Sequence, residues 1–442
     1  MGKDERSGQK WYYSFLPNNM AGGSTSPLIP LFLTQALGGN VAQVGLVSAI
    51  SSMASVPSNI LWGNLSDTVK KRRLFVLIGF GGMAMALLMM GLSTDLPSYL
   101  FANFMLGLLS TAAAPVGTVL ILESFDKKEW AKRLGDFSKV GGIGWLTGLL
   151  LGTIWLQFLS DANSSLTMRA LFILAACLAG VSMLLAYRWV PEPDEVVDRK
   201  EAHATMSSVH LMTFERARYL PQRLIHVLKI STHNLRVETF PPCLRQFYVY
   251  TFIMFTGFLT FYVGLPVFLS QYVGLSSSEV FLIYMASSLV SALTYSQAGK
   301  WATAIGSKRM LSSAVIGRAV LFPSFFAVTL LGLGKIELLA IFCVLHGLVG
   351  FCWANVSVAG SHIVSKICYQ EFRAESTGVY NAMQGTATIA GALIGGFVAQ
   401  AFGYQVVFLC ASAFLIVGLS LLARINTEKE PSAQDGPVCQ HA

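Results

Sequence analysis

Apolar stretches of roughly twenty residues alternate with short polar turns from Trp11 to Ile425, and about twenty apolar residues is the length at which a helix crosses a bilayer. The pattern predicts twelve helices: Trp11–Leu37, Val44–Trp62, Leu74–Leu92, Ser98–Phe125, Arg133–Leu159, Thr167–Tyr187, Arg245–Ser270, Ser277–Ala298, Met310–Gly332, Lys335–Ile367, Arg373–Phe402 and Tyr404–Ile425. A transmembrane β-barrel would instead alternate polar and apolar residues in short pieces, and no such alternation is present. Inside hydrocarbon every backbone group must bond within its own segment, which leaves helices. The expected class is an all-α integral membrane protein, twelve transmembrane helices in two pseudo-symmetric six-helix halves. The predicted units are a cytoplasmic N-terminus 1–10, a first half 11–187, a central loop 188–244, a second half 245–425 and a tail 426–442.

Composition agrees with this reading. Charged residues make up only 12% of the chain, about half the share in soluble domains. The net charge of +8 would suit nucleic acid in a soluble protein, but here its distribution explains it. All but four of the 31 Lys and Arg fall in one alternate set of loops with the two termini, the exceptions being Lys139, Arg169, Arg318 and Lys335. Positive charge stays on the cytoplasmic side, so both termini and the central loop are expected there, with no nucleic-acid partner. The seven cysteines are scattered through apolar segments with neither metal spacing nor a paired framework. The first apolar segment is too long for a signal peptide. Within the central loop, Ala217, Leu220, Leu224 and Leu228 recur at helical spacing among Arg216, Arg218, Arg223 and Lys229. This reads as a helix on the membrane surface or as a solvated tether. Its histidines, His203, His210, His226 and His233, lack ligand-spaced partners for a metal. Asn163-Ser164-Ser165 fits a glycosylation triplet.

Two polar turns organise the halves. Gly63-Asn64-Leu65-Ser66-Asp67-Thr68-Val69-Lys70-Lys71-Arg72-Arg73 follows the second helix, and Gly299-Lys300-Trp301-Ala302-Thr303-Ala304-Ile305-Gly306-Ser307-Lys308-Arg309 follows the eighth. With the helix count and the orientation, these turns give the chain a form that resembles the major facilitator superfamily of secondary transporters. Gly63, Leu65, Asp67, Lys71, Arg72 and Arg73 match that family's loop motif. Thr68 and Lys70 depart from it, and the second copy has Thr303 at the acidic position. Glu123 to Phe137 and Tyr369 to Asn381 look like the matching connections of helices 4–5 and 10–11. Glycines follow in helix 5 (Gly141, Gly142, Gly144, Gly148, Gly152) and helix 11 (Gly385, Gly391, Gly395, Gly396); the spacings of four among them put small residues on one face and let backbones approach. Their places in both halves favour a moving interface over simple packing.

The resemblance implies alternating access around a site near the bilayer midplane. Gly63, Asp67, Lys71, Arg72 and Arg73, with Gly299, Gly306, Lys308, Arg309 and Arg373, would form its conformational latch. Asp67 is suited to accept from the N–H groups at the start of helix 11, where the helix dipole favours an anion. Glu123 and Lys139 would pair as an inner gate. Arg318 lies deep within helix 9, where a charge is costly and functional by default; the resemblance makes helix 9 peripheral, so the alternative is a side chain that snorkels or reaches a partner helix. The analogy puts the cavity between helices 1, 2, 4, 5, 7, 8, 10 and 11, with Asn18, Asn19, Trp145, Tyr262, Tyr284, His346, Trp353, Asn355, Asn381 and Gln384 as its polar and aromatic lining.

No Asp or Glu lies near the middle of any predicted span. Proton-coupled transporters commonly titrate such a carboxylate, so coupling to protons stays open; His346 is the one histidine in a span, suited by its pKa to proton handling or, as a lone buried histidine, to a structural hydrogen bond. The family's drug exporters tend to carry an Arg four residues before a helix-4 Gly. Gly107 has Asn103 there, and helix 5 lacks the Gly-Pro pair of antiporters. The expected function is transport of a small organic solute across a lipid bilayer by a monomer, with export of a hydrophobic or amphipathic compound favoured. The alternatives are import or facilitation of a sugar-like metabolite and a transport-dead receptor on the same fold. No Gly-rich Lys-Ser/Thr phosphate loop, metal pair or nucleophile grouping occurs, so neither an enzyme nor a bound cofactor is expected.

Overall fold

The computed structural model describes residues 10–69, 71–125, 129–159, 164–192, 240–368 and 373–425. The predicted surface helix and histidines of the central loop, the N- and C-terminal tails and Asn163 lie outside these residues, as do the side chains of Asp67, Glu123 and Arg373. Among the described residues the chain is helical, with no strand. Eight stretches are long and apolar enough to cross a membrane. Two of them, of 53 and 49 residues, run to roughly 75–80 Å at about 1.5 Å per residue, against a hydrocarbon core of about 30 Å. Each is therefore two crossings. They fold back at Gly306 and Gly403, whose φ angles of 86° and 84° are the left-handed conformation that glycine adopts without strain. Two shorter broken helices complete twelve spans.

We number the spans α1–α12. α1 is a 3-10 turn, Lys10–Phe15, then Leu16–Thr25 and Leu28–Gln35; Pro27 removes the backbone donor between the two pieces and breaks them. α4 is likewise split into Leu96–Ser110 and Ala114–Ser124 beside Pro115. The others are α2 Val41–Val69, α3 Arg72–Leu92, α5 Trp130–Phe158, α6 Ser164–Trp189, α7 Pro242–Val267 with a π-turn to Tyr272, α8 Ser277–Trp301, α9 Ser307–Thr329 and α10 Lys335–Ile367. α11 and α12 are the parts of Arg373–Arg424 before and after Gly403.

The first basic turn is shorter than the sequence pattern suggests. α2 runs to Val69, so Gly63 and Asp67 belong to its last turns, and only residues 70–71 connect it to α3. A polar run after an apolar one marks the membrane boundary, whereas the helix continues until its hydrogen bonds are interrupted. The cations of this turn divide their work. Lys71 is exposed. Arg72 is buried and donates from Nη1 to Ser66 Oγ at 2.8 Å, joining the end of α2 to the start of α3. Arg73 donates from Nε to the Val190 carbonyl at 2.8 Å, closing the C-terminal end of α6. The second copy repeats this. Lys308, second residue of α9 as Arg73 is of α3, donates from Nζ to the carbonyls of Ala423 and Ile425 at 3.1 and 2.7 Å at the end of α12. Orphan carbonyls and the negative end of the helix dipole both call for a cation there.

The glycine faces serve two purposes. Gly144 and Gly148 of α5 lie against the backbone of Leu16 and Met20 in α1, and Gly391 and Gly395 of α11 lie against Thr256 and Thr260 in α7. These are equivalent contacts within each half, so these glycines join helices of one half rather than face the other half. Only Gly152 (against Phe281 of α8), Gly385 (against Val56 of α2) and Gly396 (against Gly45 and Val41 of α2) face the opposite half.

Candidate functional site

The halves meet at the end remote from the basic turns. Besides the glycine contacts, hydrogen bonds between described residues cross between them: Ser277 Oγ donates to Gln35 Oε1 at 3.0 Å, and Ser278 Oγ to Gln157 Oε1 at 2.7 Å. At the same end Lys335 pairs with Glu279 at 3.0 Å, tying α10 to α8 within the second half. At the basic end the relation reverses. A Cβ placed on Gly63, Gly135, Gly299 or Gly378 would meet nothing within 4 Å. Gly135 and Gly378 line a cavity of about 1970 Å³, larger than the roughly 300–1,000 Å³ of an ordinary ligand pocket because its mouth is open between the halves.

Its walls come from α2, α5, α7, α8, α10 and α11. The first half supplies Ser55, Asn59, Ser138, Lys139 and Trp145; the second supplies Phe255, Phe258, Tyr262, Ser287, Ser291, Trp353, Asn381, Gln384 and Thr388. Apolar surface dominates, with hydroxyl and amide groups set into it. Lys139 is the one charged residue among the described lining residues. It is exposed and forms no ion pair with any described residue.

Five of the ten predicted lining residues, Trp145, Tyr262, Trp353, Asn381 and Gln384, come together here. The other five do not, and among the described residues α1 and α4 contribute none to the lining. α1 is drawn onto the glycine face of α5, so Asn19 lies over Gly141 and donates from Nδ2 to the Phe15 carbonyl at 2.8 Å. Asn18 has its Oδ1 buried. Asn355 is buried and donates to the Phe351 carbonyl one turn back, at 2.8 Å. His346 is 1% exposed. Its Nδ1 sits 3.0 Å from the Ile283 carbonyl; a carbonyl only accepts, so Nδ1 carries the proton. The ring packs edge-on against Tyr284 at 4.9 Å and Tyr262 at 6.1 Å. The histidine therefore clamps α10 to α8 behind the wall, with Tyr284 beside it.

The sequence reading missed a polar stripe, Ser287, Ser291 and Tyr295 on α8, and the pair Ser55 and Asn59 on α2. The signal was available: polar residues four apart on an apolar helix share a face. It also missed Phe258. Behind the second-half wall lies Arg318, fully buried at 0% exposure. Its Cζ stands 4.1 Å from the Phe258 ring centre, 5.4 Å from Trp353 and 5.8 Å from Tyr262. One nitrogen, Nη2, donates to the Val349 carbonyl at 3.1 Å and approaches Tyr262 Oη at 3.4 Å, whereas Nε and Nη1 have no partner. Among the described residues no group of His, Cys, Asp and Glu could hold a metal ion.

The family model described as Major Facilitator Superfamily matches residues 13–235 and 247–437. The chain belongs to this superfamily. It is therefore a transporter of the membrane rather than an enzyme. Among its curated relatives are Multidrug resistance protein MdtG of Citrobacter koseri, 24% identical over 401 residues, covering 88% of this chain and 87% of the relative. The protein of the same name from Enterobacter lignolyticus is 30% identical over 180 residues, 40% of this chain and 41% of the relative. Among solved superfamily structures, the nucleoside transporter NupG aligns with TM-score 0.66 at 15% identity, over 94% of this chain and 98% of that one. A POT family transporter in complex with a thioalcohol-conjugated peptide aligns with TM-score 0.71 at 12% identity, over 95% of each chain. At these identities the structural likeness establishes the fold.

Proposed function

We propose that this superfamily member exports a hydrophobic or amphipathic organic solute by alternating access, acting as a monomer with both termini in the cytoplasm. The observation that carries the reading is the cavity itself. It is closed at one end by contacts between the halves, open at the basic end, and walled by aromatic rings with scattered hydroxyl and amide groups. A basic end belongs on the cytoplasmic side, so the conformation is inward-open, the state in which an exporter loads its substrate. The name of the MdtG relatives, multidrug resistance, fits an apolar cavity of this size. In the opposite state, Asp67 would engage the start of α11 as a latch, and the gap at Gly63 and Gly378 would close.

The test uses purified protein in liposomes with an imposed pH gradient, assayed against a panel of neutral and charged aromatic solutes and sugar-like polar solutes. Directional transport of at least one amphipathic solute is expected, and its response to the gradient decides whether protons are coupled. Transport confined to sugar-like polar solutes would overturn the substrate reading.

A further inference from the structure

Among the described residues, the charges that line the cavity or lie directly behind its wall are both positive. Lys139 stands exposed on the first-half wall, Arg318 lies directly behind the second-half wall, and among the described residues no carboxylate lines the space. We infer that the cavity selects amphipathic organic anions, a single carboxylate or similar head on an apolar body, and rejects the corresponding cations. This rests on the transporter reading above and narrows its substrate.

Three features support it together. First, Arg318 is a buried cation with no carboxylate partner, and a charge taken out of water is normally paired. Three aromatic rings and one carbonyl hold it, while Nε and Nη1 remain unpartnered. Part of its electrostatic demand is thus unmet until an anion arrives, and in this low-dielectric setting its field extends through the wall.

Second, the rings that would cradle a cationic solute already hold a cation. Phe258, Tyr262 and Trp353 each line the cavity, and each has the Arg318 guanidinium within 6 Å of its centre, the range over which a ring attracts a positive charge. A second cation at the same rings would meet like-charge repulsion. The aromatic surface stays available to an apolar body.

Third, the remaining polar lining is rich in donors that can turn toward an anion. Ser55, Asn59 and Ser138 accompany Lys139 on one side, and Ser287, Ser291, Asn381 and Gln384 face them from the other half. An anion between them would draw on both halves, as a substrate that drives closure must.

The experiment compares three probes with one body and different heads: phenylbutyrate, phenylbutanol and phenylbutylammonium. Equilibrium binding is measured on the full-length protein in nanodiscs, corrected against empty nanodiscs. Phenylbutyrate is expected to bind about ten-fold or more tighter than phenylbutylammonium, the scale of one charge-assisted hydrogen bond. Lys139→Gln should lower affinity for the anion about ten-fold more than for the alcohol, and Arg318→Met should bring the cation and the anion closer together. If Arg318→Met fails to fold, the exposed Lys139 site carries the test alone. Equal binding of the three probes, or tighter binding of the ammonium, would overturn the anion assignment and leave the transporter reading standing. Binding of none of them to protein that still unfolds cooperatively on heating would overturn the cavity reading and this one with it.

Discussion

A guanidinium with no accessible surface must be satisfied by its neighbours, and Arg318 is satisfied only in part. Replacing a buried charge by an apolar residue of similar length is often neutral or stabilising. Arg318→Met should therefore melt at or above the wild-type temperature, by an amount on the order of 1 kcal/mol, while substrate selectivity is lost. Arg318→Lys should be less stable than either, because an ammonium cannot stack on Phe258 and reach Val349 at once. Thermal unfolding of the two variants side by side checks both. The same scale shows what a sequence conceals. The position of Arg318 within a span was legible, and so was its cost. Its partners were not, because Phe258, Tyr262, Val349 and Trp353 come from α7 and α10, and nothing in their spacing says which face turns toward α9. His346 and Asn355 show the converse. A polar residue in mid-span looks like lining, yet each found a carbonyl near at hand.

Helix ends were more readable than helix faces. Asp95 precedes α4, and its Oδ1 accepts from the Ser98 backbone N–H at 2.8 Å. That bond, with the Ser98 hydroxyl, holds the carboxyl below its usual range. A lowered folded value means stability that is complete above the ordinary carboxylate pKa, about 3.9, and is lost as pH falls below it through the folded value. Wild type should lose thermal stability over that acid window more steeply than Asp95→Asn. The basic turns make the stronger case. Their charge was legible as topology, whereas their reach to the ends of α6 and α12 was not, since Arg73 and Lys308 lie 117 positions from the farthest carbonyls they bind. Arg73→Ala and Lys308→Ala should each cost roughly 0.3–1 kcal/mol. The two sites share no partner, so the double variant should show the sum, read from thermal unfolding. A topogenic role alone predicts no loss of stability in correctly inserted protein.

At the scale of the molecule, the twelve spans and their two halves followed from the apolar pattern, and a cavity from the family resemblance, with half of the residues expected there lying on its walls. What decides transport is the exchange between two closures, and the residues that hold each one are separable. Ser277 with Gln35 and Ser278 with Gln157 hold the end remote from the basic turns. In a background freed of native cysteines, Gln35→Cys with Ser277→Cys joined by a short bifunctional thiol reagent should abolish transport, and reductant should restore it. The opposite closure is assigned to Asp67. A charge-assisted hydrogen bond contributes on the order of 1.5–3 kcal/mol, and every 1.4 kcal/mol is about ten-fold in population. Asp67→Asn should therefore deplete the outward-open state about ten-fold while the protein still folds. The measurement is the labelling rate of Ser291→Cys, a cavity residue, by a membrane-impermeant thiol reagent. From the outer face it should fall about ten-fold in Asp67→Asn, and from the cytoplasmic face it should hold or rise. An unchanged outer rate together with unchanged transport would remove Asp67 from the mechanism and leave its charge a feature of the membrane boundary alone.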